Sequence, residues 1–314
     1  MAIKTPRVRP ELFFGLVGAV GTELGLVESI LSRELENLNY QVHSIRAIHL
    51  LKEFEKWRTI PTVPADEYIR RSMDAGNDFR KKVRLPGALA ALAIGDIRRF
   101  RKRVTGQEDH RSPSTAYILR SFKNPGEIEL MRTVYGESFI LIAAYASHQT
   151  RLRHLTRRIT DSKNGFGEDE NRSIAEELIQ RDQEEPDNKL GQNVRDTFHR
   201  ADVFFDASQP QKLDETIVRF IRLFFGDTFK TPTRDEYCMF HAKATALRSA
   251  EMGRQVGAVI ATREGEIIST GTNEVPKAFG GFYWEGDDPD ERDFAQNMDS
   301  NDKHKKALLG DILT

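Results

Sequence analysis

Apolar residues in this chain fall into two alternating rhythms. Short segments of strand character stand at ELFFGLVG (11–18), QVHSIRAI (41–48), AYILRSF (116–122), SFILIAAYA (138–146) and ADVFFDAS (201–208), the third and fourth of them apolar runs. Between them the spacing becomes helical. Leu24, Val27, Leu31, Leu35 and Leu38 recur every three or four residues behind the first run, and segments 66–82 and 88–100 repeat the pattern. Leu213, Ile217, Phe220, Ile221 and Phe224 form one more apolar stripe. Strand, glycine turn, helix, strand is a βαβ unit, and βαβ units predict a parallel sheet covered by helices.

Two stretches break the rhythm. Residues 161–196 are the least apolar part of the chain and read as a mobile lid or inserted loop, and 226–236 reads as a linker. A new unit follows, with a helix near 236–252 and two hairpin strands, VGAVIAT and EIISTGT, around Arg263–Gly265. After Pro276 the chain is acidic and polar, with no clear core element. The domains expected are therefore 1–228 and 229–314.

Composition narrows the chemistry. A net charge of -1 over 314 residues gives no global basic field for nucleic acid. No apolar run reaches the ~20 residues that span a bilayer, and MAIKTPRVRP lacks a signal peptide's apolar centre, so a cytoplasmic protein without membrane partners is expected. The single cysteine, Cys238, excludes an intramolecular disulfide and any metal site built on several thiolates.

The first candidate for chemistry is GLVGAVGTE (15–23), between a strand and a helix. Glycines there let the backbone approach an anion, and the helix N-terminus supplies the positive end of a dipole. Against the phosphate-loop pattern G-x-x-x-x-G-K-[ST], Gly21 matches the second glycine, Leu16 stands at the first, Thr22 replaces the lysine and Glu23 the hydroxyl residue. On these residues alone a packing turn and a nucleotide site remain open. AGNDFR (75–80), the segment from YILRSFKNPGE to LIAAYAS, Arg151 and Arg153, and the closing ADVFFDAS then follow in an order that resembles P-loop nucleotide and coenzyme kinases. The resemblance implies a three-layer αβα nucleotide-binding domain, with Gly15, Gly18, Ala19, Gly21, Thr22 and Glu23 around the phosphates and Arg80, Arg151 and Arg153 as phosphate contacts. Without the lysine, phosphoryl transfer loses its main charge stabiliser while binding through backbone amides survives. Arg70, Arg71, Arg157 and Arg158 are further cations, each with a solvated helix face as the plainer explanation.

The second candidate is EYCMFHAKATALRSAEMGRQVGAVIATREGEIISTGTNEVP (236–276). A helix, then R-x-V-G-A-V-I, a hairpin and G-x-N-x-x-P resemble the opening of deoxycytidylate-type deaminases. The resemblance implies that Arg254 and Asn273 contact a nucleotide. Those enzymes hold zinc with H-x-E and P-C-x-x-C, the glutamate moving the proton. Here His241 is followed by Ala242 and Lys243, lies before the hairpin, and no P-C-x-x-C exists. A kinase-like half followed by a deaminase-like half resembles the bacterial anti-phage deoxycytidylate deaminases, which act on the dCTP/dCMP pool. The expected fold is α/β: a P-loop kinase-like αβα domain followed by an incomplete cytidine-deaminase-like α/β domain, with zinc belonging only to a complete enzyme and no cofactor held by this chain. The expected ligand is a deoxynucleotide or other nucleotide, with self-association open. A P-loop small-molecule kinase and a non-enzymatic nucleotide sensor are the alternatives.

Overall fold

The computed structural model describes residues 9–183, 185 and 190–313; the readings made for the N-terminal eight residues and for 184 and 186–189 lie outside them. The chain divides into two compact units, Met1–Gly226 and Asp227–Thr314.

The first unit is built on five parallel strands: β1 (Leu12–Val17), β2 (Gln41–Arg46), β3 (Thr115–Arg120), β4 (Phe139–Tyr145) and β5 (Val203–Asp206), ordered β2-β3-β1-β4-β5. β1 is central and buried along its whole length, because it is flanked by β3 and β4 and covered on both faces. Its alternation sorts the core. Phe14 and Leu16 face α1 (Leu24–Asn37) and α9 (Pro210–Phe224), where Leu31, Leu213 and Ile217 close one layer. Phe13 and Val17 face the opposite layer, built from α4 (Ala88–Thr105) and α5 (Pro125–Tyr135) with Ile97, Ile128 and Met131. Each such side chain contributes roughly 1.5–3 kcal/mol of transfer free energy before chain entropy is counted. The short α2 (Ala47–Leu51) and α8 (Val194–Phe198) add Leu50 and Val194 to this second layer.

A satellite bundle of α3 (Ala65–Val83), α6 (His148–Ser162) and α7 (Glu168–Gln183) stands beside the sheet with its own core of Ile69, Met73, Leu155, Ile159, Leu178 and Ile179. The expectation of a loop across 161–196 is corrected here: 168–183 is helix. Its average composition is polar, but Ala175, Leu178 and Ile179 share one face and are buried.

In the second unit α10 (Arg234–Ala246) begins with a capping box between Thr233 and Glu236 and packs on the antiparallel pair β6 (Gly257–Ala261) and β7 (Ile267–Thr272). The packing is close: a Cβ at Gly257 would stand 2.0 Å from the Ala242 carbonyl oxygen. Val259 and Ile267 lie on the side of lower exposure, while Ile260 and Ile268 are 62% and 67% exposed. Then come α11 (Asp293–Gln296) and α12 (Ser300–Leu313), the latter with no buried residue. Among the described residues no helix is long and apolar enough to cross a membrane.

Candidate functional site

Parallel strands bring their carboxyl ends to one edge, so the loop after β1, Arg46 at the end of β2, Lys123 after β3 and Ser147 after β4 all lie at that edge. The loop 18–23 joins β1 to α1. Its glycines are required by space. A Cβ at Gly18 would meet Leu24 Cδ2 at 3.0 Å and the Ala144 oxygen at 3.2 Å. Gly21 has φ +86°, and a Cβ there would lie 2.5 Å from the Arg151 carbonyl oxygen. Gly15 does not belong to the loop. It sits inside β1, where a Cβ would strike the rings of Phe122 and Phe139 at 2.6 and 2.7 Å, so its part is packing.

The loop's polar groups are unevenly used. Thr22 N–H donates to the Ala19 oxygen at 3.0 Å, closing a turn. Val20 N–H donates to Asp182 Oδ2 at 2.6 Å. Lys123 Nζ donates to the Gly18 oxygen at 3.0 Å and lies 2.8 Å from Asp182 Oδ1. Thr22 Oγ1 is buried and, among the described residues, has no partner. Glu23 is exposed at the N-cap of α1, and its side chain makes no capping bond.

Two cavities open on this loop. One, of about 320 Å³, runs past Ala19, Thr22, Tyr145, Arg151, Phe198 and His199. Arg151 is 7% exposed; its Nε donates to the Ala146 oxygen at 3.3 Å, and its Nη1 is buried without a partner among the described residues. Burial lowers the pKa of this guanidinium, opposed by the negative charge of Asp182 nearby. The other cavity, of about 230 Å³, has a mixed wall of Ile69, Met73, Arg46, Arg120 and Arg158 beside Lys123. Arg120 and Arg46 reach Glu28 Oε2 at 2.9 and 3.2 Å. Burial, with Arg46 and Arg158 adding repulsion, lowers the Arg120 pKa.

The expected phosphate arginines separate. Arg151 stays at the loop. Arg153 is exposed on α6. Arg80 is corrected: it is fully buried, with Nη1 on Glu127 Oε1 at 2.9 Å, Nη2 on Asn77 Oδ1 at 2.8 Å and Nε on the Leu190 oxygen at 2.6 Å. A guanidinium with all three nitrogens so engaged is a structural tie between α3 and α5. Arg70 and Arg71 pair with Glu177 and Glu67 at the surface.

In the second unit Asn273 is a clasp. Its Nδ2 donates to the Arg254 oxygen at 2.7 Å, and its Oδ1 accepts Val256 N–H at 2.7 Å and Ser249 Oγ at 3.0 Å. Both ends of the amide are thus engaged within the chain, whereas the Arg254 residue is exposed. His241 and Cys238 lie on α10, and Tyr237 and Phe240 pack against the His241 ring. In the acidic stretch 285–293 two carboxylates are paired, Asp290 with Arg292 at 2.7 Å and Asp287 with Lys277, outside the stretch, at 2.5 Å.

A central glycine loop at the carboxyl edge of a β2-β3-β1-β4-β5 parallel sheet, between two helical layers, makes the first unit a three-layer αβα domain of the P-loop kinase-like class. No protein-family model matches the chain, and no curated protein matches it significantly. Among solved structures it is similar to a gluconokinase from Sinorhizobium meliloti 1021, at 12% identity and TM-score 0.37, covering 70% of this chain and 97% of that one. It is also similar to shikimate kinase from Aquifex aeolicus, at 16% identity and TM-score 0.35 over 69% of this chain and 99% of that one. Shikimate kinase from Bacteroides thetaiotaomicron gives 13% and 0.33, over 68% and 98%. Likenesses at these TM-scores bear on neither chemistry nor ligand.

Proposed function

We propose that the chain is a nucleotide-binding protein whose first unit takes the phosphates of a nucleotide on residues 18–23. The observation that carries this is a pair of buried donors without partners among the described residues, Thr22 Oγ1 and Arg151 Nη1, both in residues lining the 320 Å³ cavity beside the α1 N-terminus. A buried unpaired donor costs about 1–3 kcal/mol, which an anion accepting from both would remove. Tyr145, Phe198 and His199 offer flat surfaces to a heterocycle in the same cavity. With threonine and glutamate in the motif positions of lysine and the hydroxyl residue, the function proposed is binding without phosphoryl transfer.

The finer part of the proposal concerns the second unit. Its helix followed by a hairpin is the arrangement on which the likeness to deoxycytidylate deaminases rests, and we assign the protein to dCTP/dCMP metabolism on that ground, with dCTP or dCMP as the preferred ligand. The residues present do not fit that family's zinc. The chain has one thiol, Cys238, lysine follows His241 at the position of the acid, and among the described residues the group suited to a cation consists of carboxylates alone, Glu251, Asp293 and Asp299. No deamination step is therefore derived for this chain.

Isothermal titration with dCTP, dCMP, ATP and dATP tests the proposal. Binding with a preference for the deoxycytidine nucleotides is expected, together with a loss of about tenfold for Thr22→Val and for Arg151→Gln, one charge-assisted hydrogen bond each. Unchanged affinity in both folded variants, or no binding of any of the four at millimolar concentration, would overturn it.

A further inference from the structure

The position where the loop should meet a phosphate is filled by the chain itself. Asp182, in the last turn of α7, is fully buried, and its carboxylate lies on the loop amide Val20 N–H at 2.6 Å. Lys123 completes the arrangement. Its Nζ donates to Asp182 Oδ2 and to the Gly18 oxygen, both at 3.0 Å, and forms an ion pair with Asp182 Oδ1 at 2.8 Å. One anion thus rests on a glycine-loop amide and on an ammonium, the two donor types that a phosphate loop offers to its ligand.

The lysine that the motif lacks at Thr22 is supplied from another strand. Lys123 follows β3, the neighbour of β1, and Ser121 and Phe122 N–H both donate to the Leu16 oxygen, at 3.0 and 3.1 Å. That junction fixes the turn at the base of the loop, from which the lysine side chain reaches across Gly18.

Asp182 is placed against its own helix. A carboxylate at a helix C-terminus faces the negative end of the dipole, and full burial removes its hydration. The loop amide and Lys123 hold it there, so a ligand carrying more negative charge competes for the same donors on favourable terms. A phosphate monoester bears nearly two charges near neutral pH, against one for the aspartate.

We infer that Asp182 is an internal occupant of the phosphate position and Lys123 the relocated cation of the loop: an incoming nucleotide phosphate displaces the carboxylate and takes over both the Val20 amide and the lysine. This rests on the nucleotide-binding proposal and goes beyond it by naming, on the side of the same loop that faces the 230 Å³ cavity, the residue that binds and the residue that competes.

The two halves of one ion pair then have opposite effects on binding. Titration of the full chain with ATP and with inorganic tripolyphosphate should show Asp182→Asn binding about tenfold tighter than the wild type, since the competitor's charge is gone. Lys123→Met should bind at least about tenfold more weakly. A structural ion pair would move both in the same direction, or neither, and that result overturns the inference. Asp182→Ala is the second variant should the asparagine form fail to fold, with the same sign expected. Amide exchange across 168–183 adds a readout independent of affinity: ATP should speed exchange near Asp182 in the wild type and leave Asp182→Asn unchanged. If the wild type binds ATP but Asp182→Asn binds it no more tightly, this inference alone falls. If neither protein binds ATP or tripolyphosphate, it falls together with the proposal beneath it.

Discussion

Arg80→Ala separates a phosphate contact from a structural tie. The substitution removes a guanidinium that is fully buried and leaves the Glu127 carboxylate, itself 1% exposed, without its cation. Stranding one member of a buried pair costs ~3–5 kcal/mol. The lower end applies here, because Glu127 Oε2 still accepts Lys123 N–H at 2.8 Å and Asn124 N–H at 3.2 Å at the start of α5. Burial already raises the Glu127 pKa despite Arg80, so without Arg80 it should rise further. With a urea m-value of ~2 kcal/mol/M, a loss of about 3 kcal/mol lowers the unfolding midpoint by about 1.5 M. Arg80→Met combined with Glu127→Gln keeps the capping acceptor while removing both charges, and should recover most of that loss. A folded Arg80→Ala protein within about 0.5 kcal/mol of wild type, with nucleotide affinity abolished, would refute this assignment and return Arg80 to the ligand.

Gly257→Ala should lift α10 from the hairpin, because the added methyl meets the Ala242 oxygen and Ala246 nitrogen at 2.0 and 2.4 Å; the expected cost is ~1–3 kcal/mol, read as faster amide exchange across 257–272 with strands β1 and β4 unaffected. In the wild type the same hairpin should already exchange faster than β1, since it is a two-stranded sheet with Ile260 and Ile268 exposed. The pH dependence has a defined sign at Asp96, whose pKa is held below 3.8 by the hydrogen bond from His43 and then by Arg99. Its contribution is complete above pH 3.8 and disappears as pH falls through the lower folded value, so the melting-temperature gap between wild type and Asp96→Asn should close on acidification below that point.

The sheet was legible because each core strand is a continuous apolar run; LFFGLV and FILIAAY need no partner to declare themselves. The helix at 168–183 was not, since Ile174, Ala175, Leu178 and Ile179 are the only apolar residues in an acidic, arginine-containing segment whose mean signals a loop. The site was half visible. Gly18, Gly21, Thr22 and Arg151 lie together at the carboxyl edge of the sheet, whereas Gly15 is a strand residue whose missing Cβ accommodates two phenylalanine rings. Arg80 ends a helical turn with nothing local to show that Glu127, 47 positions away, accepts its charge. Lys123 and Asp182 escaped the pattern altogether, because a phosphate-loop motif is linear and they reach the loop from β3 and α7. The one sequence signal was a lysine immediately after a buried strand, in the SFKNPGE turn.

The central place of β1 has a consequence for how the chain is made. Its partners lie far downstream: Leu12 is registered with Ala116, and Phe13 with Phe139. At ~5–20 residues per second, a ribosome needs about 5–20 s after releasing Leu12 before the first of those partners exists. Throughout that interval an uncharged hexamer of high β-propensity has both edges unpaired, with α1 the first helix made to shield one of its faces and α4 reaching the other only late in it. Soluble yield should therefore track the supply of holdase chaperones and improve with lower growth temperature, even though the finished strand is among the most protected segments of the protein.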